Sequence, residues 1–380
     1  MKFLHLADLH LGKRVHDFSM LADQKYILEQ IMKVMEEEHV EGVLIAGDIY
    51  DRTVPSTEAV QLFDHFLTEI AGKGIPVFLI GGNHDSVERI SFGAKILADS
   101  NVYVAGVYQG KIEAISCEDE YGAIDIYLLP FIKPAYVRHA FPEEAEEITS
   151  YQEALAVVMK QITLNKKHRN ILVAHQFVTG ATRCDSEEIS VGGLDNVDAS
   201  LFTDFDYVAL GHIHGPQWVL KETIRYAGTP LKYSFSEVSH QKSAAIIELR
   251  EKGDIRITAV PLTPLRDMRK IRGNYEELTS RSLYERTNTE DYVSITLTDE
   301  EDIFDALGKL RVIYPNLMKL DYDNARVRSG METGEVAAVE QKTPLTYTKE
   351  LFEMQNQKEM SEKQERYLTA MIRDVWEMEL

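Results

Sequence analysis

Apolar residues in the first 130 positions alternate between the spacing of buried strands and that of amphipathic helices. Short apolar runs at 2–7, 42–46 and 75–80 predict strands, and the bare run GVLIA is typical of a strand buried on both faces. Between these runs, apolar side chains recur every three or four residues over 21–35 and 59–70, which predicts two helices. Strands separated by helices predict parallel β-α-β units packed in layers.

The rest of the first 265 residues adds further strands. Apolar runs at 124–129, 171–174 and 207–210 extend the same α/β pattern. Beyond Gly215 the predicted strands are short and closely connected, at 218–220, 224–226, 244–249 and 255–260. This spacing predicts an antiparallel β-region that closes a first domain over residues 1–265.

Two smaller units follow. The pattern over residues 266–340 predicts an α+β domain, with a strand near 292–297 and a helix near 303–312. The weak periodicity over residues 328–346 predicts a linker. In the last segment, 345–380, Ser361 and Gln364 have the spacing of a helix capping box. An apolar stripe then runs along the predicted helix, formed by Tyr367, Leu368, Met371, Ile372, Val375 and Trp376.

Composition excludes several classes of protein. The 380 residues are 44% hydrophobic and 27% charged, which excludes a disordered or fibrous chain. No apolar run approaches the roughly 18 residues of a membrane span, and the first ten residues predict no signal peptide. Two cysteines predict a reducing, cytoplasmic location. The net charge of −21 disfavours a nucleic acid partner when it is taken as a surface average.

Polar motifs follow the predicted strands at five places. They are Asp8-Leu9-His10, Gly47-Asp48-Ile49-Tyr50-Asp51, Gly82-Asn83-His84-Asp85, His175 and Gly211-His212-Ile213-His214. Each motif taken alone also fits ordinary turn chemistry. Ligands of wound α/β sheets bind outside the carboxyl ends of the strands, so we expect the five motifs to converge.

The residue types in these motifs indicate metal ligation. Asp48 directly follows an apolar strand, where a carboxylate is costly unless a cation neutralises it. Four imidazoles, two carboxylates and one amide exceed the three protein ligands of a catalytic zinc. They suit two ions that share a carboxylate. Nitrogen and oxygen donors without a thiolate favour Mn²⁺, Fe²⁺ or Zn²⁺ over Mg²⁺ or Ca²⁺.

The five motifs together resemble the signature of the calcineurin-like metallophosphoesterases. Within that superfamily the surrounding segments resemble the SbcD nucleases, among them HLADLHLGKRV, LIAGDIYDRTVPS, GNHDSVERISFGAKIL, AHQFVTG, SVGGLDNV and ALGHIHGPQWV. The segments PLRDMRKIRG and QNQKEMSEKQ extend the resemblance over essentially the whole chain. It implies an α/β fold, a layered α-β-β-α sandwich with a small α+β capping domain and a C-terminal helical segment.

The resemblance also implies roles for individual residues. One ion is expected on Asp8, His10, Asp48 and His214, and the other on Asp48, Asn83, His175 and His212. The expected ions are two divalent metals, with Mn²⁺ as the first candidate. His84 is expected to be catalytic, with Asp85 as its orienting partner. Asp51 is expected to contribute to catalysis at a position where relatives carry either Asp or His.

The activity implied by the resemblance is metal-dependent cleavage of DNA, as a double-strand exonuclease and a single-strand or hairpin endonuclease, in repair, recombination and replication. Expected phosphate contacts beside the motifs are Lys13, Arg14, Arg52 and Arg89, although each alone also fits surface solvation. A denser basic stretch comprises Arg266, Arg269, Lys270 and Arg272.

The implied partner is an SbcC-type ABC ATPase, whose coiled-coil base would bind residues 345–380, in a heterotetramer built on a homodimer. Bound metals would make the cleft electropositive despite the net charge, so this subunit alone is expected to bind DNA weakly and with strong salt dependence. Two alternatives stay open. One is a phosphoesterase of cyclic nucleotides or phosphoproteins, and the other is a non-catalytic scaffold of the same fold.

Overall fold

Two six-stranded sheets form the centre of the computed structural model, which describes residues 1–187, 196–325, 344–356 and 360–378. In chain order its strands are β1 (Lys2–Leu6), β2 (Arg14–Val15), β3 (Phe18–Ser19), β4 (Gly42–Ala46), β5 (Val77–Ile80), β6 (Val102–Val104), β7 (Ile115–Asp119), β8 (Gly122–Leu129), β9 (Arg169–His175), β10 (Phe177–Val178), β11 (Asn196–Val197), β12 (Tyr207–Gly211), β13 (Gln217–Val219), β14 (Lys221–Tyr226), β15 (Ser243–Leu249), β16 (Ile255–Pro261), β17 (Met268–Gly273), β18 (Tyr292–Leu297) and β19 (Leu317–Tyr322). Its α-helices are α1 (Leu21–Glu37), α2 (Thr57–Gly72), α3 (Val87–Ile90), α4 (Ala94–Ala98), α5 (Pro134–Ala140), α6 (Tyr151–Lys160), α7 (Tyr275–Leu278), α8 (Arg281–Tyr284), α9 (Ala306–Arg311), α10 (Pro344–Asn356) and α11 (Glu362–Met378).

The predicted βα units make up the parallel part of each sheet. In the first sheet, with strand order β16-β15-β1-β4-β5-β6, the last four strands are parallel. In the second, with order β13-β14-β12-β9-β8-β7, the strands β14, β12, β9 and β8 are parallel. All five residues of β4 are buried, as the bare apolar run predicted. The carboxyl ends of the central strands therefore carry the polar motifs in both sheets.

The sandwich has four layers, which confirms the predicted α-β-β-α class. Phe3, Phe78 and Tyr207 belong to the core between the two sheets. A second core packs α1 and α2 against the outer face of the first sheet. A third packs α5 and α6 against the outer face of the second sheet. The helices thus cover the outer faces, and both sheets are buried on both sides.

The strands of the predicted antiparallel β-region form two antiparallel hairpins, but these belong to different sheets and make no region of their own. The hairpin of β13 and β14 lies at the edge of the second sheet, and β14 pairs in parallel with β12. The hairpin of β15 and β16 joins the first sheet instead, where β15 runs antiparallel to β1. Residues 244–247 of β15 are all buried, so this strand has two apolar faces to cover and completes the layer beside β1. The edge that each hairpin joins depends on contacts far apart in sequence.

The segment after residue 265 forms a smaller unit with a core of its own. β17, β18 and β19 form a parallel three-stranded sheet, and Val293, Ile295 and Leu310 lie in its core. A buried carboxylate joins this unit to the sandwich, because Asp23 on α1 accepts hydrogen bonds from Arg266 Nη1 and Tyr292 Oη, both at 2.8 Å. Of the predicted linker over 328–346, residues 328–343 lie outside the part of the chain that the structure describes.

The two C-terminal helices pack against each other, and an ion pair joins Lys349 to Glu365. The predicted capping box is present at the start of α11. The Ser361 N–H donates to Gln364 Oε1 at 3.0 Å, and the Gln364 N–H donates to Ser361 Oγ at 3.4 Å. In the predicted stripe, Tyr367 is 72% and Met371 45% exposed. The stripe's Leu368 and Ile372 are half-buried, and the side chains of Val375 and Trp376 lie outside the described part. Within the described ranges, none of the helices has the length and apolarity that crossing a bilayer requires.

Candidate metal centre

The five polar motifs meet at one edge of the sandwich. Asp8 and His10 follow β1, Asp48 follows β4, and Asn83 follows β5, while His175 ends β9. The loops are tied to one another by main-chain hydrogen bonds, from the Asp8 N–H to Gly47 O at 3.0 Å and from the His10 N–H to Asp48 O at 2.9 Å. The fold therefore brings together motifs separated by more than 200 residues of sequence.

Four of the predicted ligands have backbone angles that L-residues rarely adopt. The positive φ values are 54° at Asp8, 44° at His10, 51° at Asp48 and 102° at His212. Such angles cost free energy and are concentrated at functional sites, where the surroundings hold them. Sequence patterns gave no sign of this strain, although it marks the same edge as the motifs.

Two motif glycines allow the strand ends to approach each other. A Cβ atom at Gly82 would lie 2.1 Å from Asp48 Oδ1, and one at Gly211 would lie 1.9 Å from Ala46 O. No side chain fits at either position, because both neighbours are held by the sheets. At Gly211 the second sheet contacts Ala46 of the first sheet, so the absence of a side chain allows the two halves of the site to lie this close together.

The first candidate metal position is formed by Asp8, His10 and His214, whose ligand atoms lie within 4.8 Å of one another. His10 Nε2 faces His214 Nε2 at 3.1 Å. His10 Nε2 also lies 3.7 Å from Asp48 Oδ2. These are the four residues that the resemblance assigned to one ion.

The second candidate position lies on the other side of Asp48. Asn83 Oδ1 is 2.9 Å from His175 Nε2 and 3.0 Å from His212 Nδ1. His175 Nε2 is 3.4 Å from Asp48 Oδ2, and His175 Nδ1 donates to Ala46 O at 2.8 Å. Asp48 thus lies within reach of both groups of donors, as a bridging ligand must.

Burial governs the charge of the two carboxylates. Burial raises the pKa of Asp8 well above its usual range, and the negative charge of Asp48 adds to this. Burial acts in the same direction on Asp48, but the His175 and His84 imidazoles outweigh it and hold the pKa of Asp48 well below its usual range. The same attraction to Asp48 overcomes burial at His175 and raises its pKa to about 9.

The donor atoms fit divalent cations. Burial lowers the pKa values of His10 and His212, which favours the neutral imidazole that binds metals. Among the described residues, His10 Nδ1 and His212 Nε2 are buried without a hydrogen-bond partner. Buried carboxylates are unfavourable without positive charge, and the raised pKa values of Asp8 and His175 indicate that protons supply it when no cation is bound. Two divalent ions would satisfy both requirements.

The expected role of Asp85 as the partner of the His84 ring needs correction. The Asp85 carboxylate accepts main-chain hydrogen bonds from Ile49 and Gly82 on Oδ2, at 3.0 and 2.9 Å, and from Tyr50 on Oδ1 at 2.9 Å. His84 Nδ1 lies instead 3.1 Å from the main-chain oxygen of Asp51. Asp85 therefore holds two loops together, because a buried carboxylate recruits the nearest free N–H groups.

His84 itself faces the metal centre. Its Nε2 lies 3.9 Å from Asp48 Oδ2, and the main-chain N–H of His84 donates to Asp48 Oδ1 at 3.0 Å. His84 also forms a candidate ligand group with His10 and Asp48, so distance alone does not separate a ligand from a catalytic residue here. The Asp51 carboxylate lies 3.9 Å from His10 Nδ1 and pairs with Lys13 Nζ at 2.6 Å.

The basic residues expected to contact DNA differ in availability. Arg14, Arg52 and Arg89 are exposed beside the motifs, whereas Lys13 is engaged by Asp51. In the smaller unit, three arginines are paired with carboxylates. The pairs are Arg266 with Asp23, Arg269 with Asp291 and Arg272 with Asp323. Lys270 is exposed, so the basic stretch presents far less free charge than its sequence indicated.

A buried network that the sequence did not reveal supports His214. Ser186 Oγ lies 2.8 Å from His214 Nδ1 and donates to Glu237 Oε1 at 2.6 Å. Lys242 Nζ donates to Glu237 Oε2 at 2.5 Å and to His214 O at 2.9 Å. These residues belong to no motif, and only the fold brings them together. Such supporting hydrogen bonds orient ligand imidazoles.

Cys184 and Glu187 lie beside the same histidine, and the three form a further candidate group. Burial raises the pKa of the Cys184 thiol to about 12, and its Sγ donates to Glu187 Oε1 at 3.3 Å. The thiol is therefore protonated at neutral pH, whereas metals bind the thiolate. The His214 N–H donates to Glu187 Oε1 at 2.7 Å, which gives Glu187 a supporting role.

Comparisons with known proteins identify the family of this chain. Residues 1–216 match the model of the calcineurin-like phosphoesterase family, and residues 264–356 match that of the type 5 capsule protein repressor C-terminal domain. The SbcD subunit of the nuclease SbcCD from Staphylococcus epidermidis is 35% identical over 324 residues, covering 84% of this chain and 85% of that protein. Its counterpart from Staphylococcus saprophyticus is 34% identical over 324 residues, covering 84% of each.

A solved dimetal phosphatase from Danio rerio aligns with 69% of this chain and 99% of its own, at 11% identity and a TM-score of 0.39. That value is too low to support an argument, so the assignment rests on the family model and the two sequence relatives. The chain belongs to the calcineurin-like phosphoesterases, whose model matches more than half of it. Within them it belongs to the family of the SbcD nuclease subunits, as the flanking segments predicted.

We predict that Lys242→Met lowers the free energy of unfolding by about 3–5 kcal/mol at pH 7, because it leaves the Glu237 carboxylate buried without its cation. Burial alone would raise the pKa of Glu237, but His214 and Lys242 hold it below its usual value near 4.5. A carboxyl group whose pKa is lower in the folded state than in the unfolded state stabilises the protein at a pH above the unfolded-state pKa. This contribution is lost as the pH falls from there to the folded-state pKa.

Urea unfolding at pH 7 and pH 4 measures this effect. The difference between wild type and Lys242→Met should shrink at pH 4, because without Lys242 burial raises the pKa of Glu237 and the carboxyl is neutralised by a proton. The control is Lys252→Met, which breaks a half-exposed pair with Asp206 and should cost less than about 1 kcal/mol at both pH values. An equal loss for Lys242→Met at both pH values would contradict the prediction.

Proposed function

We propose that this chain is the metal-dependent nuclease subunit of a complex with an ABC-type ATPase, and that it hydrolyses DNA phosphodiester bonds in repair and recombination. The observation that carries the proposal is the convergence of seven nitrogen and oxygen donors at one strand edge in a member of this nuclease family. We expect exonuclease action on duplex ends and endonuclease action on single strands or hairpins. Sequence-independent cutting of this kind needs phosphate contacts and no base readout.

The proposed metal ligands are those of the sequence prediction. One ion would be held by Asp8, His10, Asp48 and His214, and the other by Asp48, Asn83, His175 and His212. We propose Mn²⁺ because the donors are imidazoles and carboxylates without a thiolate. When bound, two such ions supply Lewis acidity and an acidified water for in-line attack on phosphorus.

His84 is proposed as the proton donor to the leaving oxygen. With Nδ1 held against the Asp51 main-chain oxygen, its Nε2 lies 3.9 Å from Asp48 Oδ2, where the proposed metals would hold the reacting phosphate. The Asp85 carboxylate, bonded to three main-chain N–H groups, holds the His84 loop at a fixed distance from β4. The Asp51 carboxylate restrains Lys13, which would otherwise extend towards the DNA.

The remaining parts serve DNA and partner binding in this proposal. Arg14, Arg52 and Arg89 are exposed at the rim and contact phosphates. We retain the domains 1–265, for catalysis, and 266–340, as a cap that recognises DNA. Residues 345–380 bind the coiled-coil base of the ATPase, and two copies of each subunit form a heterotetramer. Cys117 and Cys184 are unpaired, which supports a reducing cytoplasm.

We predict that the purified full-length protein with Mn²⁺ cleaves linear duplex DNA. The same preparation should be tested on a small phosphodiester and on a phosphopeptide. DNA cleavage that chelation abolishes and added Mn²⁺ restores would support the nuclease. Dephosphorylation of the peptide without DNA cleavage would favour a phosphoprotein phosphatase, and no hydrolysis of any substrate would favour a scaffold.

His84→Ala is expected to keep both ions and to lower kcat on DNA by about 10²–10⁴-fold, since it removes a general acid without removing a ligand. Bound manganese is measured by elemental analysis and turnover on labelled duplex. His65→Ala, on the outer helix α2, is the matched control and should change neither quantity. Loss of manganese from His84→Ala would make this residue a ligand and refute the assignment.

For the C-terminal segment, we predict that Tyr367→Ser combined with Met371→Ser abolishes co-purification with the ATPase partner. The two side chains are exposed apolar groups on α11, which suits binding of a helix in a groove. Mn²⁺-dependent cleavage should be retained, because α11 is remote in sequence from every ligand. Arg366→Ser, on the polar face of the same helix, should keep the partner, and retention by the double variant would contradict the prediction.

A further inference from the structure

A cavity of about 250 Å³ lies beside the proposed metal centre, with the proposed ligand Asn83 and the proposed phosphate contact Arg89 in its lining, and its far side has no role so far. Gly82 and Asn83 form its side towards the metal ligands, and Phe131, Lys133 and Tyr136 form the other side. Pockets for complete drug-sized ligands measure roughly 300–1,000 Å³, so this cavity suits one unit of a longer molecule.

The segment that carries Lys133 is fixed to the metal centre. It follows the carboxyl end of β8, and the Phe131 N–H donates to Gly81 O at 3.1 Å. The Phe131 ring meets the His175 imidazole edge-on, with 6.1 Å between ring centroids. Lys133 therefore has a defined position relative to a proposed metal ligand, in contrast to a lysine on a free loop.

The Lys133 ammonium lacks the partner that a buried structural lysine has. The side chain is 7% exposed, yet within the described residues no hydrogen bond or ion pair is found for its Nζ. Lys242, whose ammonium is enclosed more fully, pairs with Glu237 at 2.5 Å. Lys133 Nζ lies 5.9 Å from the centre of the Tyr136 ring, which provides only weak cation–π attraction.

The acidic groups around the cavity are already engaged. Both oxygens of Asp85 accept main-chain hydrogen bonds. Glu88 is exposed, accepts from Ser86 Oγ at 2.9 Å, and acts on Lys133 through space. Burial lowers the pKa of Lys133 more strongly than Glu88 raises it, which indicates a cation short of negative charge. An anion in the cavity would supply that charge.

We propose that this cavity binds the phosphate next to the scissile bond of a nucleic acid strand, with Lys133 Nζ as its ligand. The inference rests on the proposed nuclease function and extends it, since the metals hold one phosphate and Lys133 holds its neighbour. The apolar walls of Phe131 and Tyr136 accommodate the intervening sugar. A second phosphate site of this kind fixes the direction in which the strand crosses the metals.

The test combines a substitution in the protein with a modification of the substrate and measures kcat/KM for each combination, with the full chain and Mn²⁺. Single-stranded oligonucleotides carry one uncharged methylphosphonate linkage directly 5′ or 3′ of a defined cleavage position. On one of the two sides, the modification should lower wild-type kcat/KM by about tenfold, the effect of losing one charge-assisted hydrogen bond. Lys133→Met should lower kcat/KM on the unmodified strand by the same factor. For this variant, the methylphosphonate should then lower kcat/KM by less than about twofold, because the contact it removes is already absent.

Further variants exclude a merely structural effect. Lys133→Arg keeps the positive charge and should recover most of the rate. For Lys133→Met, the slope of log affinity against log salt concentration should be smaller by the amount expected for about one lost phosphate contact. Lys111→Met, which removes an exposed lysine paired with Glu113, is the matched control and should behave as wild type. Melting temperatures of all variants establish that they are folded.

Each outcome decides the proposal. Additive losses, with Lys133→Met still sensitive to the methylphosphonate, would overturn it, as would an unchanged rate in Lys133→Met. If the effect follows a terminal 5′-phosphate and no internal linkage, the cavity is a phosphate site for the strand end. A wild-type protein that cuts no oligonucleotide would overturn the nuclease function, and the phosphate site with it.

Discussion

The carboxylate of Asp48 is the constraint on which the rest of the site depends. It is 2% exposed, at the end of a strand whose five residues are all buried, and it lies within 4 Å of a nitrogen of His10, His84 and His175. Burying such a charge is favourable only when cations and hydrogen bonds surround it. The positive φ angles of the strand ends and the absence of a side chain at Gly82 both serve to bring those groups close to Asp48.

Support for this arrangement extends outwards in layers. Asp85 holds the loops after β4 and β5 through their N–H groups, and Glu237 with Lys242 holds the main chain and imidazole of His214. The smaller unit after residue 265 reaches the same region through α1, where Asp23 binds Arg266 and Tyr292. Next to Asp23, Gln24 Nε2 donates to His10 O at 2.7 Å, so the smaller unit and a proposed metal ligand both contact α1.

The net charge of −21 describes the surface and not the cleft. Part of the acidic block at 118–120 has a structural role. Asp119 pairs with the N-terminal ammonium at 2.6 Å and with Arg169 Nη2 at 2.5 Å. Likewise, three of the four basic residues in the stretch of the smaller unit pair with carboxylates, so charge runs in the sequence overstated both the free acid and the free base.

The strands, the donor set and the position of each motif at a strand end could be predicted from the sequence, because they follow from local periodicity and residue type. The capping box of α11 could be predicted for the same reason, since it is a contact over three residues. Other features depend on the packing of the whole chain: β15 joins β1, Asp85 binds main-chain N–H groups, and Lys242 is paired while Lys133 is not. The pairing of β15 with β1 and the bond from the Ile49 N–H to Asp85, 36 positions away, join distant parts of the chain. The strand and side-chain partners depend on which surfaces remain to be buried once the two sheets have met.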